Sequence, residues 1–199
     1  KLEPQSLNLV TFCKDLTVDY EALCQQKNII FHFLPSRTII RVEFDPEKME
    51  ILLSNLISNA FKYTPEGGKI VLSIDETDEK ITLVVEDNGI GIKKEFQDAI
   101  FERFFQVENT EIFSTGDGIG LSFVKHLVEL HDGTIHVESE LNKGAKFIVE
   151  LPKKERGDEP VSSEEEIIIV PKSEKDNAYV SLAVESASSP AAPHTLLII

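Results

Sequence analysis

Two amides and an ammonium recur on one face of the stretch SNLISNAFKYT. At 100° per residue, Asn55, Asn59 and Lys62 fall within about 60° of one another, beside Leu52 and Leu56. An Asn side-chain carbonyl is a hard oxygen donor of the kind Mg²⁺ accepts alongside phosphate oxygens. Lys62 offers a point charge for a phosphate, and Tyr63 an OH or ring edge at the helix end. The same stripe also suits a solvated helix face on which Asn59 helps a cap, so it needs support from elsewhere in the chain.

A second stretch, VVEDNGIGI, starts as an apolar strand and ends in a carboxylate and two spaced glycines. Glycines in that pattern let backbone approach something closely or adopt dihedrals a Cβ forbids. Ionised Asp87 only accepts hydrogen bonds. Adenine presents an exocyclic amine, whereas guanine presents an oxygen there, so an aspartate at the base of a pocket selects adenine. D-N-G is also common turn chemistry, and alone it would mean no more than a turn. The third stretch is GDGIGLSFVKHLVELHDG, where Gly116, Gly118 and Gly120 precede a helix whose first N–H groups suit phosphate. No strand leads directly into it, which disfavours a dinucleotide fingerprint, and no G-K-[ST] makes a P-loop.

The elements that must position these residues can be read from periodicity. Phe12, Leu16, Tyr20, Leu23 and Cys24 follow helical spacing, giving a helix from about Thr11 to Gln26. NIIFHFLP and RTIIRVEF read as strands divided by Pro35 and Ser36. Asp45-Pro46 is an N-cap with Pro at the first helical position, opening a helix to about Tyr63 that TPEGG ends. KIVLSID and KITLVVED alternate as strands, a helix runs from about Gly118 to Leu130, and TIHVESE and AKFIVELP form a hairpin across LNKG. Helices mixed with hairpins favour an α+β two-layer sandwich over a doubly wound parallel sheet.

The chain has 199 residues, 41% of them hydrophobic, and a formal net charge of −15. That length allows one good core with a tail, and that acidity argues against nucleic acid or an anionic membrane as partner. Two cysteines, Cys13 and Cys24, fit a reducing cytosol better than a disulfide scaffold. No apolar run approaches the roughly 20 residues of a membrane span. A first residue that is not Met suggests a piece of a longer protein, with any membrane anchor outside it. After Pro152 the charged KKERGDEPVSSEEE and the simple SASSPAAPH read as a linker.

In this order, the pieces resemble the GHKL ATP-binding superfamily, and within it the catalytic domain of bacterial sensor histidine kinases. NLISNAFKYT looks like the N box, VEDNGIGI the first glycine box, FERFFQVE the F box, and GDGIGLSFVKHLVELHDGTIHVESELNKGAKFIVELP the second glycine box with its closing hairpin. The resemblance covers about Phe44 to Pro152 and implies a mixed, mostly antiparallel sheet packed on three helices. It implies ATP and Mg²⁺ as cofactors, with Asn59 the metal ligand and Asn55 and Lys62 the groups closest to catalysis. Lys62 and Tyr63 would face phosphates and sugar, and Asp87 would read the adenine amine, with Gly89, Gly91 and Ile92 shaping the pocket. Gly118, Ile119, Gly120 and Leu121 would bring the second-box helix to the phosphates. Residues 109–115 would be an ATP lid hinged on Phe101, Phe104 and Phe105. Many members carry an arginine where this chain has Gln106, so the terminal phosphate would lose a charge there.

One position separates subfamilies. The ATP-hydrolysing relatives of this fold place a general-base glutamate one helical turn before the metal-binding asparagine; here that residue is Asn55, an amide that cannot take a proton from water. The resemblance therefore implies a two-component protein histidine kinase whose acceptor histidine lies on a separate helical domain. None of His32, His126, His131, His136 or His194 has the acceptor's context, so this chain alone should not phosphorylate itself. The expected organisation is residues 1–10 as the exit of that helical domain, 11–152 as the ATP-binding domain, 153–194 as linker, and 195–199 as the start of a receiver domain. Expected partners are ATP, the helical acceptor domain and a response-regulator receiver domain in the cytoplasm. The alternative is a non-catalytic nucleotide-binding pseudokinase that scaffolds partners.

Overall fold

The computed structural model describes residues 1–105 and 118–153. In chain order they form β1 (Gln5–Asn8), α1 (Leu9–Gln26), β2 (Ile30–Pro35), β3 (Arg41–Phe44), α2 (Pro46–Tyr63), β4 (Lys69–Glu76), β5 (Lys80–Asp87), two 3-10 turns (Lys94–Phe96 and Ala99–Phe101), α3 (Gly120–Leu130), β6 (Thr134–Glu140) and β7 (Gly144–Pro152). The five-stranded sheet has the order β2-β4-β5-β7-β6. Only β2 and β4 run parallel in it; the other pairs are antiparallel. The expected two-layer sandwich forms, with the sheet packed against the helices.

Alternation decides which sheet face is covered. On β4, Ile70, Leu72 and Ile74 are buried while Lys69 and Asp75 are exposed; on β5, Ile81, Leu83 and Val85 are buried. A one-residue slip would turn all six to the other face. Opposite them, α2 buries Met49, Leu52, Leu53, Leu56, Ile57 and Ala60, one stripe of a 3.6-residue helix. Each such leucine buried contributes about 2 kcal/mol, and truncating one to alanine costs about 2–5 kcal/mol because a cavity remains. Cys13 and Cys24 are free thiols buried among these side chains, and burial pushes the Cys13 thiol up to about 12.

Local chemistry sets the helix ends. The Asp45 carboxylate accepts the Lys48 N–H at 3.1 Å, Pro46 fills the first helical position, and the helix ends at Tyr63 as TPEGG suggests. The helix after the glycines starts at Gly120 and not near Gly118, because Gly118 adopts φ +65°, outside the right-handed helical region.

Residues 1–10, expected as the exit of a preceding domain, are woven into this one. Gln5–Asn8 pairs antiparallel with β3, the Asn8 side chain caps α1, and Leu9 and Val10 are buried in the core. α1 therefore begins two residues before Thr11. Of the expected linker at 153–194 only Lys153 is described; the rest of it, the expected receiver start at 195–199, Gln106, Gly116 and the lid segment 109–115 lie outside the described residues.

Candidate functional site

Asn55 and Asn59 sit one turn apart on the half-buried side of α2, as the wheel requires. The Asn55 side-chain N–H donates to its own helix, at the Ile51 carbonyl (2.7 Å). Its carbonyl oxygen faces the first turn of α3: a Cβ on Gly120 would stand 2.8 Å from Asn55 Oδ1. Glycine at 120 thus lets two helices close on each other at the asparagine. No side chain caps α3 at Ile119, so its first-turn N–H groups carry the positive end of the helix dipole toward this junction.

At the other end of α2, the turn after β5 docks onto the last carbonyls. The Ile90 N–H donates to the Tyr63 carbonyl at 3.3 Å, and Gly89 lies so close that a Cβ there would collide with the Tyr63 carbonyl oxygen. The Lys62 ammonium lies 5.2 Å from the Tyr63 ring centroid. Gly91 adopts φ +67° where the chain presses against the Glu140 and Gly144 carbonyls of the β6–β7 hairpin.

Asp87 ends β5 at 7% exposure, and the Gly89 N–H donates to its Oδ1 at 2.8 Å. Burial raises its pKa above the usual carboxylate range; the Gly89 and Ala145 N–H groups pull it back, and the Glu86 charge adds a smaller upward push. When ionised, the Asp87 carboxylate can accept further hydrogen bonds but donates none.

The F-box aromatics and second-box glycines meet as well. The Phe104 N–H donates to the Gly118 carbonyl at 2.9 Å, so the two ends of the 106–117 stretch are tied together. Phe104 holds φ +65° and is 72% exposed, a strained backbone and a solvent-facing ring at once. Leu121 packs at the edge of the core with Ile92, Ile100 and Phe101. Lys125 and His126 point to solvent. Two contacts frame the described part of the site: Asn55 meets Gly120 between α2 and α3, and Tyr63 meets Gly89, beside Asp87, where the β5 turn docks on the end of α2.

Sequence reasoning missed several of its supports. Gly144, read only as part of a hairpin turn, packs so tightly that a Cβ would lie 2.7 Å from Asn88 Cα and strike the Asp87 carbonyl. Asn88 Oδ1 accepts the Lys69 N–H at 2.7 Å, which locks the turn to β4. The Lys27 ammonium donates to the Phe61 and Thr64 carbonyls, each at 3.1 Å, and closes the end of α2 from the α1 side. No local signal marks any of the three, because each partner lies far away in the chain. A groove of about 620 Å³ beside β6 is lined in part by Ile92, Lys94 and Leu141.

Residues 44–155 match the model of the family described as histidine kinase-, DNA gyrase B-, and HSP90-like ATPase. Histidine kinase P4 of Formosa agariphila is 39% identical over 149 residues, covering 73% of this chain and 11% of that protein. The sensor histidine kinase WalK of Bacillus subtilis is 36% identical over 152 residues, 75% of this chain and 25% of that one. The chain thus spans a quarter or less of either curated relative. Among solved structures, the nucleotide-free catalytic domain of histidine kinase ThkA superposes with a TM-score of 0.69 at 31% identity, over 76% of this chain and 99% of that one. ThkA in complex with the response regulator protein TrrA matches with a TM-score of 0.66 at 30% identity, over 77% of this chain and 42% of that one.

Proposed function

The chain belongs to the histidine kinase-, DNA gyrase B-, and HSP90-like ATPase family, and from that premise we propose that it is the ATP-binding catalytic unit of a two-component sensor histidine kinase. In this reading it binds Mg-ATP and passes the γ-phosphoryl group to a histidine on a separate helical domain. The bond from the γ-phosphorus to the bridging oxygen breaks, one to an imidazole nitrogen forms, and ADP leaves.

The observation that carries the proposal is the buried Asp87 carboxylate, gripped by the Gly89 N–H in a turn docked on the end of α2. It accepts the adenine amine and repels the guanine oxygen at the same place. Lys62 and the uncapped start of α3 give positive potential on the phosphate side. The metal site fits the donors present: Asn59 carries an amide oxygen on the face that Asn55 shares, a hard donor that leaves other positions for phosphate oxygens. Asn59 would hold Mg²⁺ there, and the ion would supply positive charge toward the phosphates. Catalysis then rests on positioning and charge stabilisation, since Asn55 cannot act as a base toward water.

Ile51, Phe104, Ile119 and Phe123 are apolar yet exposed near the junction of α2 and α3. They supply a surface for the acceptor helices, and the partner beyond those helices is a receiver domain. The preceding acceptor domain, the linker at 153–194 and a receiver domain opening at 195–199 belong to the same proposal.

The test is calorimetric titration with a non-hydrolysable ATP analogue and Mg²⁺, with GTP alongside and Asp87→Asn as the control. Saturable adenine-selective binding, lost in the variant, supports the reading; no binding to wild type overturns it. Adding an acceptor domain in trans then separates kinase from ATPase, by phosphohistidine against free phosphate.

A further inference from the structure

Ser139 lies near the end of β6, and its hydroxyl is used twice. It accepts the Ile92 N–H at 2.8 Å and donates to the Gly144 carbonyl at 2.6 Å. Gln97, from the segment between the two 3-10 turns, adds a second pair of bonds: its Nε2 donates to the Ser139 carbonyl at 2.7 Å and to the Ile92 carbonyl at 3.2 Å. Two residues past the end of β6, the Asn142 N–H donates to the Ile90 carbonyl at 2.7 Å. The stretch from Ile90 to Ile92 is therefore sewn to the hairpin, and the hairpin itself packs against Asp87 through Gly144.

We infer that Ser139, together with Gln97, is a positioning residue of the nucleotide site, holding the Asp87–Ile92 stretch in the geometry that receives adenine. The inference rests on the nucleotide reading above. The physical reason is that a hydroxyl is donor and acceptor in one atom. Alanine at 139 leaves a half-buried N–H at Ile92 and a carbonyl at Gly144 without their partner. Gly91, beside Ile92, sits so close to the Glu140 carbonyl that a Cβ there would collide with it, which leaves the stretch little room to shift. Gln97 bonds the Ile92 carbonyl on the turn and the Ser139 carbonyl on β6, so removing it loosens the same stretch without touching the Ser139 hydroxyl.

The experiment uses Ser139→Ala and Gln97→Leu in the chain as it stands. Three quantities are read: hydrogen exchange of the Ile92 amide without nucleotide, affinity for a non-hydrolysable ATP analogue with Mg²⁺, and the ATP-to-GTP preference. A residue that only stabilised the fold would shift the unfolding midpoint and leave the preference alone. Expected are faster Ile92 exchange, analogue affinity lowered about 5- to 20-fold, and a narrowed ATP preference at unchanged circular dichroism. Affinity and preference within twofold of wild type in a folded variant would overturn the inference. Should Ser139→Ala fail to fold, Gln97→Leu carries the same test. Wild type that binds neither nucleotide sinks the nucleotide reading, whereas unaltered Ile92 exchange in both variants sinks the brace itself.

Discussion

Gly89 packs its α-carbon against the carbonyl of Tyr63, which leaves no room for a Cβ, while its own N–H serves the Asp87 carboxylate at 2.8 Å. One residue thus joins the end of α2 to the group proposed to read the base. Gly89→Ala must move backbone on one side or the other. The expected cost is about 1–3 kcal/mol, measured by urea denaturation, together with loss of detectable nucleotide binding. A variant of wild-type stability and affinity would contradict the packing.

Asp87→Asn should separate stability from binding. The folded pKa of Asp87 is raised, chiefly by burial, so its favourable contribution exists below the unfolded value and is lost as pH rises through the folded one. At neutral pH the ionised group strains the nucleotide-free fold, and the amide variant should unfold at an equal or higher urea concentration. Affinity for the ATP analogue should nonetheless fall at least about 10-fold, because the amide leaves the exocyclic amine poorly matched. In wild type the affinity should decline on acidification from a higher pH than an exposed aspartate would give.

Asp45 is the opposite case. The Glu3 N–H holds its carboxyl below the usual range, with Lys48 adding to this against the cost of burial. Its contribution is therefore present above the unfolded pKa and lost as pH falls through the depressed folded one. Asp45→Asn keeps a capping oxygen but removes the charge from the start of the helix, so stability at pH 7 should fall by about 0.3–1 kcal/mol. The gap between variant and wild type should close as the pH drops below the ordinary carboxylate range, which denaturation at a series of pH values would measure.

His131 accepts the Asp45 N–H at 3.3 Å through Nε2, which places its proton on Nδ1, facing the Leu127 carbonyl at 2.8 Å. At 7% exposure this neutral ring links the end of α3 to the cap of α2. His131→Leu leaves a buried N–H unmatched and should cost about 1–3 kcal/mol. Nucleotide affinity should stay within twofold, since the link lies at the far end of both helices from Gly120 and Tyr63.

Lys27→Met keeps most of the stem and removes the cation from the end of α2. Losing its bonds to the Phe61 and Thr64 carbonyls should cost about 1 kcal/mol by thermal or urea denaturation, and Lys27→Arg should recover part of it.

Where the sequence could be read, the controlling interactions were local. Asp45-Pro46 and TPEGG bounded α2 to the residue, because a cap and a helix stop act within four positions. Alternation gave β4 and β5, since a half-buried strand must place every second side chain inside. Asp87, Gly89 and Gly91 stood out because a carboxylate followed by spaced glycines marks a turn whose backbone takes dihedrals and close approaches that a Cβ forbids. The start of α3 was misjudged by two residues, as nothing in G-D-G-I-G says which glycine takes the positive φ.

By itself, then, the sequence determined the three helices, the six strands from β2 to β7, the order of motifs and the family. The tertiary structure alone decided that β2 runs parallel beside β4, that residues 5–8 pair with β3, that Gly144 packs on Asp87, and that Ser139 and Gln97 bond Ile92. These contacts join positions about 40 or more residues apart in most cases, and no spacing rule reaches so far: which carbonyl a distant hydroxyl meets is settled only when the core has closed.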